Sequence, residues 1–130
     1  MSQENVEIVR ARYEQFARGD FSQMADVADD FELVTTRENP DAGTYRGEAG
    51  IRWMTEWVGS FEGHTIEAAE IIDAGDKVFL AILQRGRPRG SQTVVEGRWW
   101  QVVTLRGGVV ARVETFQARA QALEAAGLRQ

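Results

Sequence analysis

The 130-residue chain contains no cysteine. That excludes disulfides, thiolate nucleophiles and cysteine-held zinc or iron–sulfur centres, and nothing marks the chain for secretion. Its single histidine, His64, rules out a metal site of clustered imidazoles, and no carboxylate spacing suggests another kind, so neither metal nor cofactor is expected. His64 stands at the start of a strand pattern, where exposure is expected, and no carboxylate is placed to orient its ring. Lys77 is the sole lysine and falls in a turn, where nothing desolvates its amine for Schiff-base chemistry. No serine sits in a nucleophile-elbow setting, and Gly107-Gly108 reads as a hairpin turn rather than a phosphate loop. No apolar run approaches the roughly 18 residues of a membrane span, and the N-terminus lacks a charged-then-apolar signal pattern, so a cytoplasmic protein is expected. Acidic residues outnumber basic ones 20 to 15, giving a net charge of −5. This argues against partners held by phosphate neutralisation, so no nucleic acid and no anionic membrane are expected.

What is present, 43% hydrophobic and 27% charged residues, suits one domain over residues 1–130 with an ordinary core. Ser2 can cap a helix in which Val6, Val9, Tyr13 and Phe16 recur at three- and four-residue steps, closed by Gly19. Asp20 and Gln23 resemble a capping box for a short second helix that buries Phe21, Met24 and Val27. The period then changes. Residues 31–36 alternate as a strand, Asn39, Pro40, Asp41 and Gly43 make a loop, and a third helix follows Gly47. That helix has Ile51, Met54, Val58 and Phe61 on one stripe, flanked by Trp53 and Trp57. From His64 onward the pattern is β-rich, with strands over 65–73 and 77–87 about a turn at Ala74-Gly75-Asp76. After Pro88 and Gly90 a hairpin of 92–105 and 109–116 follows, and a terminal helix spans 118–126. Helices followed by hairpin-linked strands predict an α+β fold, a curved antiparallel sheet with three N-terminal helices on its concave face and a short C-terminal helix.

The strand over 77–87 is apolar on both sides, with Phe79, Ala81 and Leu83 opposite Val78, Leu80 and Ile82. Trp100, Val102 and Val94 share a parity on the next strand. The helices cover one face, and the other is expected to join a second copy as a homodimer through the outer sheet face. The alternative is that the terminal helix covers it.

Four stretches resemble a known family: residues 13–20 (Tyr-Glu-Gln-Phe-Ala-Arg-Gly-Asp), Tyr45-Arg46-Gly47 followed by Gly50-Ile51-Arg52, the Asp73-Ala74-Gly75-Asp76 turn, and residues 104–110 (Thr-Leu-Arg-Gly-Gly-Val-Val). In this order, over nearly the whole chain, they resemble the nuclear-transport-factor-two-like superfamily. Within it the SnoaL-like branch, which includes polyketide cyclases, and the ketosteroid isomerases are most similar. The resemblance implies a cone-shaped, cystatin-like α+β barrel around a small-molecule pocket. It does not fix the chemistry, because isomerases, cyclases, dehydratases, epoxide hydrolases and binding domains share that fold.

The isomerases use a helix-one tyrosine and a late-strand aspartic acid as an oxyanion hole, with a second aspartate as base. By resemblance Tyr13 matches the tyrosine. The base position falls on Thr35, which holds its proton too tightly near neutral pH. The late-strand acid falls on Gln101, which also removes the key group of the SnoaL-like cyclases but can donate a hydrogen bond to an enolate oxygen. If Gln101 faces inward, so do Trp99, Val103 and Val95. The family register puts Val110, Arg112, Glu114 and Phe116 inward on the last strand.

The expected catalytic set is therefore Tyr13, Gln101, Arg112 and Glu114, with Glu114 as general acid or base and the others orienting a carbonyl. The alternative makes Arg112 and Glu114 a structural ion pair and Tyr13 part of the core. Leu33, Thr35, Met54, Trp57, Phe79, Trp99 and Phe116 are expected to contact substrate, the tryptophans lining a pocket for a flat polycyclic ligand or packing on a strand edge or partner subunit. Arg85, Arg87 and Arg89 form a basic patch at the rim, either solvated or met by an anionic substrate. Three functions remain open: binding of a small apolar carbonyl compound with proton transfer next to the carbonyl, a non-enzymatic ligand-binding or dimerisation module, and epoxide hydrolysis. For the last, only Arg112 with Glu114 resembles part of the Asp-Arg-Asp arrangement required.

Overall fold

The computed structural model describes residues 2–35 and 43–128. Helix α1 (Ser2–Ala17) turns Val6, Val9, Tyr13 and Phe16 into the core, the stripe that the three-and-four spacing dictates. Gly19 closes it at φ 80°, its N–H bonded to the Phe16 carbonyl at 3.0 Å.

Residues 20–27 depart from expectation, forming successive turns instead of a second helix. The Asp20 carboxylate accepts the Ser22 N–H at 3.0 Å, but no helical ladder follows. The carbonyls of Gln23, Met24 and Asp26 accept hydrogen bonds from the Arg12 guanidinium. The Ala28 N–H, which a helix would direct to Met24, goes to Val110 at 2.8 Å. A helix of barely two turns has a costly nucleus, so side-chain and cross-chain bonds to the same backbone groups displace it. Met24 is nevertheless buried, and Phe21 and Val27 pack against the core.

Strand β1 (Glu32–Val34) pairs antiparallel with β2 (Thr44–Arg46), an element absent from the sequence reading. The expected loop residues Asn39, Pro40 and Asp41 lie outside the described residues. Helix α2 (Glu48–Gly59) follows Gly47 as expected. Strands β3 (Phe61–Ala74), β4 (Lys77–Pro88), β5 (Val95–Arg106) and β6 (Val109–Phe116) form a meander, and α3 (Arg119–Ala125) ends the chain's regular structure. The resulting curved, unclosed sheet has the order β2-β1-β6-β5-β4-β3. It is antiparallel except where β1 runs parallel to β6. No helix among the described residues is long and apolar enough to cross a membrane.

The concave face carries Val78, Leu80, Ile82, Val103, Leu105 and Val113 against α1 and α2. On the convex face Phe79 and Val102 are fully buried beneath Ala122 and Leu123 of the terminal helix and Ala126 at its C-cap. That helix therefore covers part of the face that was expected to meet a second copy, while Trp100 and Phe116 stay half-buried at its margin.

One irregularity decides which side chains face inward. The pairs Thr104↔Arg112, Val102↔Glu114 and Trp100↔Phe116 hold along β5 and β6, but Leu105 pairs with Val110, leaving Ala111 as an extra residue. A bulge of one residue reverses side-chain parity beyond it. Val110 faces the core as the family register implies, whereas Arg112, Glu114 and Phe116 share the convex face with Val102, and Val113 and Thr115 face inward instead.

Candidate functional site

A cavity of about 220 Å³ lies between the helices and the concave sheet. Phe16 of α1, Trp53, Met54 and Trp57 of α2, and Leu33, Ile66, Trp99 and Val113 of the sheet make its walls largely hydrocarbon and indole. The Trp53 and Trp57 rings stack with centroids 6.4 Å apart, and Trp99 meets Trp57 edge-on at 5.6 Å. The polar lining consists of Arg12, Tyr13, Gln101, Thr115 and Gln117.

Tyr13 and Gln101 meet in this cavity. Tyr13 projects from the buried stripe of α1, and Gln101 faces it because its cross-strand partners are the core residue Leu80 and the inward Thr115. The Tyr13 hydroxyl donates to Gln101 Oε1 at 2.5 Å. Burial pushes the phenol pKa up to about 12, the nearby Arg12 cation opposing the rise, so at neutral pH Tyr13 keeps its proton and stays a donor. The Gln101 amide has no other hydrogen bond among the described residues, which leaves its N–H groups available to an occupant.

Arg12 is the charged member of the lining. Its Nη1 reaches the carbonyls of Gln23 and Asp26 at 2.8 and 3.3 Å, and its Nη2 the carbonyl of Met24 at 3.0 Å. The guanidinium also lies 5.3 Å from the Phe16 ring centre. Desolvation lowers its pKa, opposed by the fields of Tyr13 and Asp26. Among the described residues, none that lines the cavity is a carboxylate, imidazole or lysine.

Of the expected site residues, the structure gathers Tyr13, Gln101, Leu33, Met54, Trp57 and Trp99 around the cavity. Thr35 is buried but engaged elsewhere, its hydroxyl accepting the Gly43 N–H at 2.9 Å. Phe79 and Phe116 belong to the convex cluster. Arg112 and Glu114, expected inside, also lie on the convex face because of the Ala111 bulge. There Arg112 stands 3.5 Å from both Glu114 and Glu32, and Glu32 in turn pairs with Arg46 at 2.9 Å.

His64, expected to be exposed, is buried and packs against Phe21, Trp57 and Phe61. Its Nδ1 lies 3.3 Å from the Val58 carbonyl and its Nε2 3.2 Å from Gln84 Nε2. This arrangement fits a neutral ring donating through Nδ1 and accepting through Nε2. Burial lowers its pKa, the Val58 contact opposing the shift. The arginines of the expected basic patch are paired, Arg85 with Glu96, and Arg87 and Arg89 with Glu62.

Sequence reasoning missed Arg12, Thr115 and Gln117 as lining residues. Arg12 sits one position from the inward stripe, and only the unexpected turns over 20–27 give it carbonyls to hold and a wall to join. Thr115 is inward only because of the bulge. Among the described residues no group of three or more His, Asp or Glu side chains could hold a metal ion.

The fold recurs in solved structures. An NTF2-like protein from Burkholderia thailandensis is 26% identical, with 96% of this chain and 98% of that one covered and a TM-score of 0.72. A hypothetical protein with a ketosteroid isomerase-like fold from Catenulispora acidiphila, in complex with trimethylamine, is 19% identical over 95% and 94% of the chains, with a TM-score of 0.71. TerC, co-crystallized with polyporic acid, is 22% identical over 95% and 98%, also with a TM-score of 0.71. No curated protein matches the chain. The profile of the SnoaL-like domain matches residues 9–113, most of the length and every cavity-lining residue named except Thr115 and Gln117, and the chain therefore belongs to the SnoaL-like domain family.

Proposed function

We propose that the cavity binds a small, flat, largely apolar metabolite whose carbonyl oxygen is received at the Tyr13–Gln101 pair. The observation that supports this reading is a hydrogen-bonded donor pair set among indole and aliphatic walls. Because the Tyr13 proton is committed to Gln101 Oε1, it polarises the amide and strengthens the N–H groups that remain. The stacked and edge-on tryptophans suit a planar ring system, which aromatic walls hold with good contact at little entropic cost. Binding is preferred over proton abstraction because, among the described residues, the lining holds no carboxylate or imidazole to act as base.

Titration with 2-acetonaphthone, a flat aryl ketone, tests the reading by calorimetry and tryptophan fluorescence, since Trp53, Trp57 and Trp99 line the cavity. Saturable binding that weakens in Tyr13→Phe and Gln101→Leu is expected. Absence of saturable binding at millimolar ketone would refute it.

We also propose a homodimer through the part of the outer sheet face left beside α3, where Trp100, Phe116, Ala81 and Leu83 remain half-buried. Apolar side chains in such an arrangement favour a self-complementary partner. Light scattering at micromolar concentration should give twice the 14.6 kDa chain mass, and the mass of a single chain would overturn the proposal.

A further inference from the structure

We infer that the occupant of this cavity is an organic anion with its charge delocalised over oxygen, as in a carboxylate, phenolate or enolate, and that Arg12 selects it. The inference rests on the binding reading above and adds the charge of the ligand. Arg12 is 8% exposed yet forms no ion pair among the described residues. A buried cation is costly unless an opposite charge or a full set of acceptors offsets it. Three of the five guanidinium N–H groups meet the carbonyls of Gln23, Met24 and Asp26. Two have no acceptor among the described residues. The carbonyls supply dipoles but no charge.

Among the described residues no carboxylate lines the cavity to supply that charge. Asp26, whose field acts on Arg12, is exposed. Tyr13, the other group that acts on Arg12, keeps its proton at neutral pH. Glu32 and Glu114 are committed to arginines on the convex face. Unpaired donors stand in the lining as well, the Gln101 amide N–H groups and the Trp99 indole N–H, which is buried without an acceptor among the described residues, and Thr115 and Gln117 add neutral groups that can donate or accept. A wall that, among the described residues, has one cation, spare donors and no acid is complementary to an acceptor that brings its own negative charge. In a chain of net charge −5, that local sign is opposite to the average and is held in place by the turns that replace the second helix.

The test compares 2-naphthoate with 2-naphthamide, the same skeleton with and without charge, and keeps 2-acetonaphthone as the neutral reference. Calorimetry at low salt should find naphthoate at least about tenfold tighter than naphthamide, the range of a charge-assisted bond. In Arg12→Gln the preference should vanish while naphthamide and acetonaphthone still bind, whereas a folded Arg12→Gln that keeps the preference overturns the assignment. Arg12 also braces the 20–27 turns, so a readout in the native protein decides independently of whether this variant folds. The Arg12 Nε–H resonance should move on titration with naphthoate and stay with naphthamide, and a resonance that naphthoate leaves in place overturns the inference. Equal affinity for the two probes refutes the charge and leaves the binding reading standing. Failure of all three probes refutes both.

Discussion

The hydrogen bond between Tyr13 and Gln101 joins the first helix to the fifth strand inside the cavity, and a double-mutant cycle measures it. Tyr13→Phe deletes the hydroxyl and leaves Gln101 Oε1 facing a cavity that water can enter, so the loss should be close to a neutral hydrogen bond, about 1 kcal/mol. Gln101→Leu is the harsher change. It leaves the Tyr13 hydroxyl, on a residue only 6% exposed, against hydrocarbon, and a buried donor without a partner costs about 1–3 kcal/mol. The double variant has neither orphan. Its destabilisation should fall short of the sum of the single ones by about 1 kcal/mol, the coupling expected of side chains in direct contact. Urea unfolding followed by tryptophan fluorescence gives all four stabilities, provided the slope m is unchanged. Additivity within about 0.3 kcal/mol would mean that the pair does not couple, and the polar end of the cavity would need a different account.

Three further outcomes follow from particular contacts. Burial depresses the His64 pKa below its ordinary 6.5, so the unfolded chain takes up the proton first. The stability His64 contributes is present above that value and is lost as pH falls through the folded pKa; the urea midpoint should drop more between pH 7.5 and 5 in the native protein than in His64→Gln, and equal drops would contradict it. In Gly50→Ala the new Cβ would stand 3.0 Å from both Phe31 Cε2 and the Tyr45 carbonyl oxygen. That overpacking, about 1–3 kcal/mol, should outweigh the usual gain of alanine over glycine in a helix, so a raised melting temperature would refute the contact. Glu114→Gln should leave naphthoate affinity within about twofold, because the carboxylate lies across the sheet from the cavity, and a tenfold loss would place it inside.

The stripe of α1 was legible because Val6, Val9, Tyr13 and Phe16 follow a period that only a helix satisfies, and the turn at Ala74-Gly75-Asp76 was legible from its residue types alone. Tyr13 and Gln101 were found through family resemblance and strand parity together. What escaped was set by long-range bonds. The capping-box pattern at Asp20 and Gln23 is a local preference, and it yields to Arg12 and Val110, residues that the chain brings close only on folding. Strand β2, of three residues, is too short to show a period and exists because β1 offers it an edge. His64 was read as exposed from its place in the chain, yet the aromatic side chains that bury it come from the turn segment, from α2 and from the start of β3.

The Ala111 bulge explains why a reading of parity could be right for one strand and wrong for the next. Along β5, alternation from Gln101 correctly sends Trp99 inward, because β5 pairs with β4 without interruption over these residues. On β6 the family register, alternating from the inward Val110, assigns Arg112 and Glu114 to the interior, and two charges there would have demanded pairing in a low dielectric. The extra residue moves them to the convex side, where Glu32 and Arg46 complete the network at the sheet surface. It sends Val113 and Thr115 inward in their place. The exchange substitutes one apolar and one neutral polar side chain for an ion pair in the cavity wall, so among the described residues the only charge left in the lining is the one that α1 contributes. The electrostatic character of the cavity therefore depends on a single inserted residue in a strand, together with a turn segment that never becomes a helix.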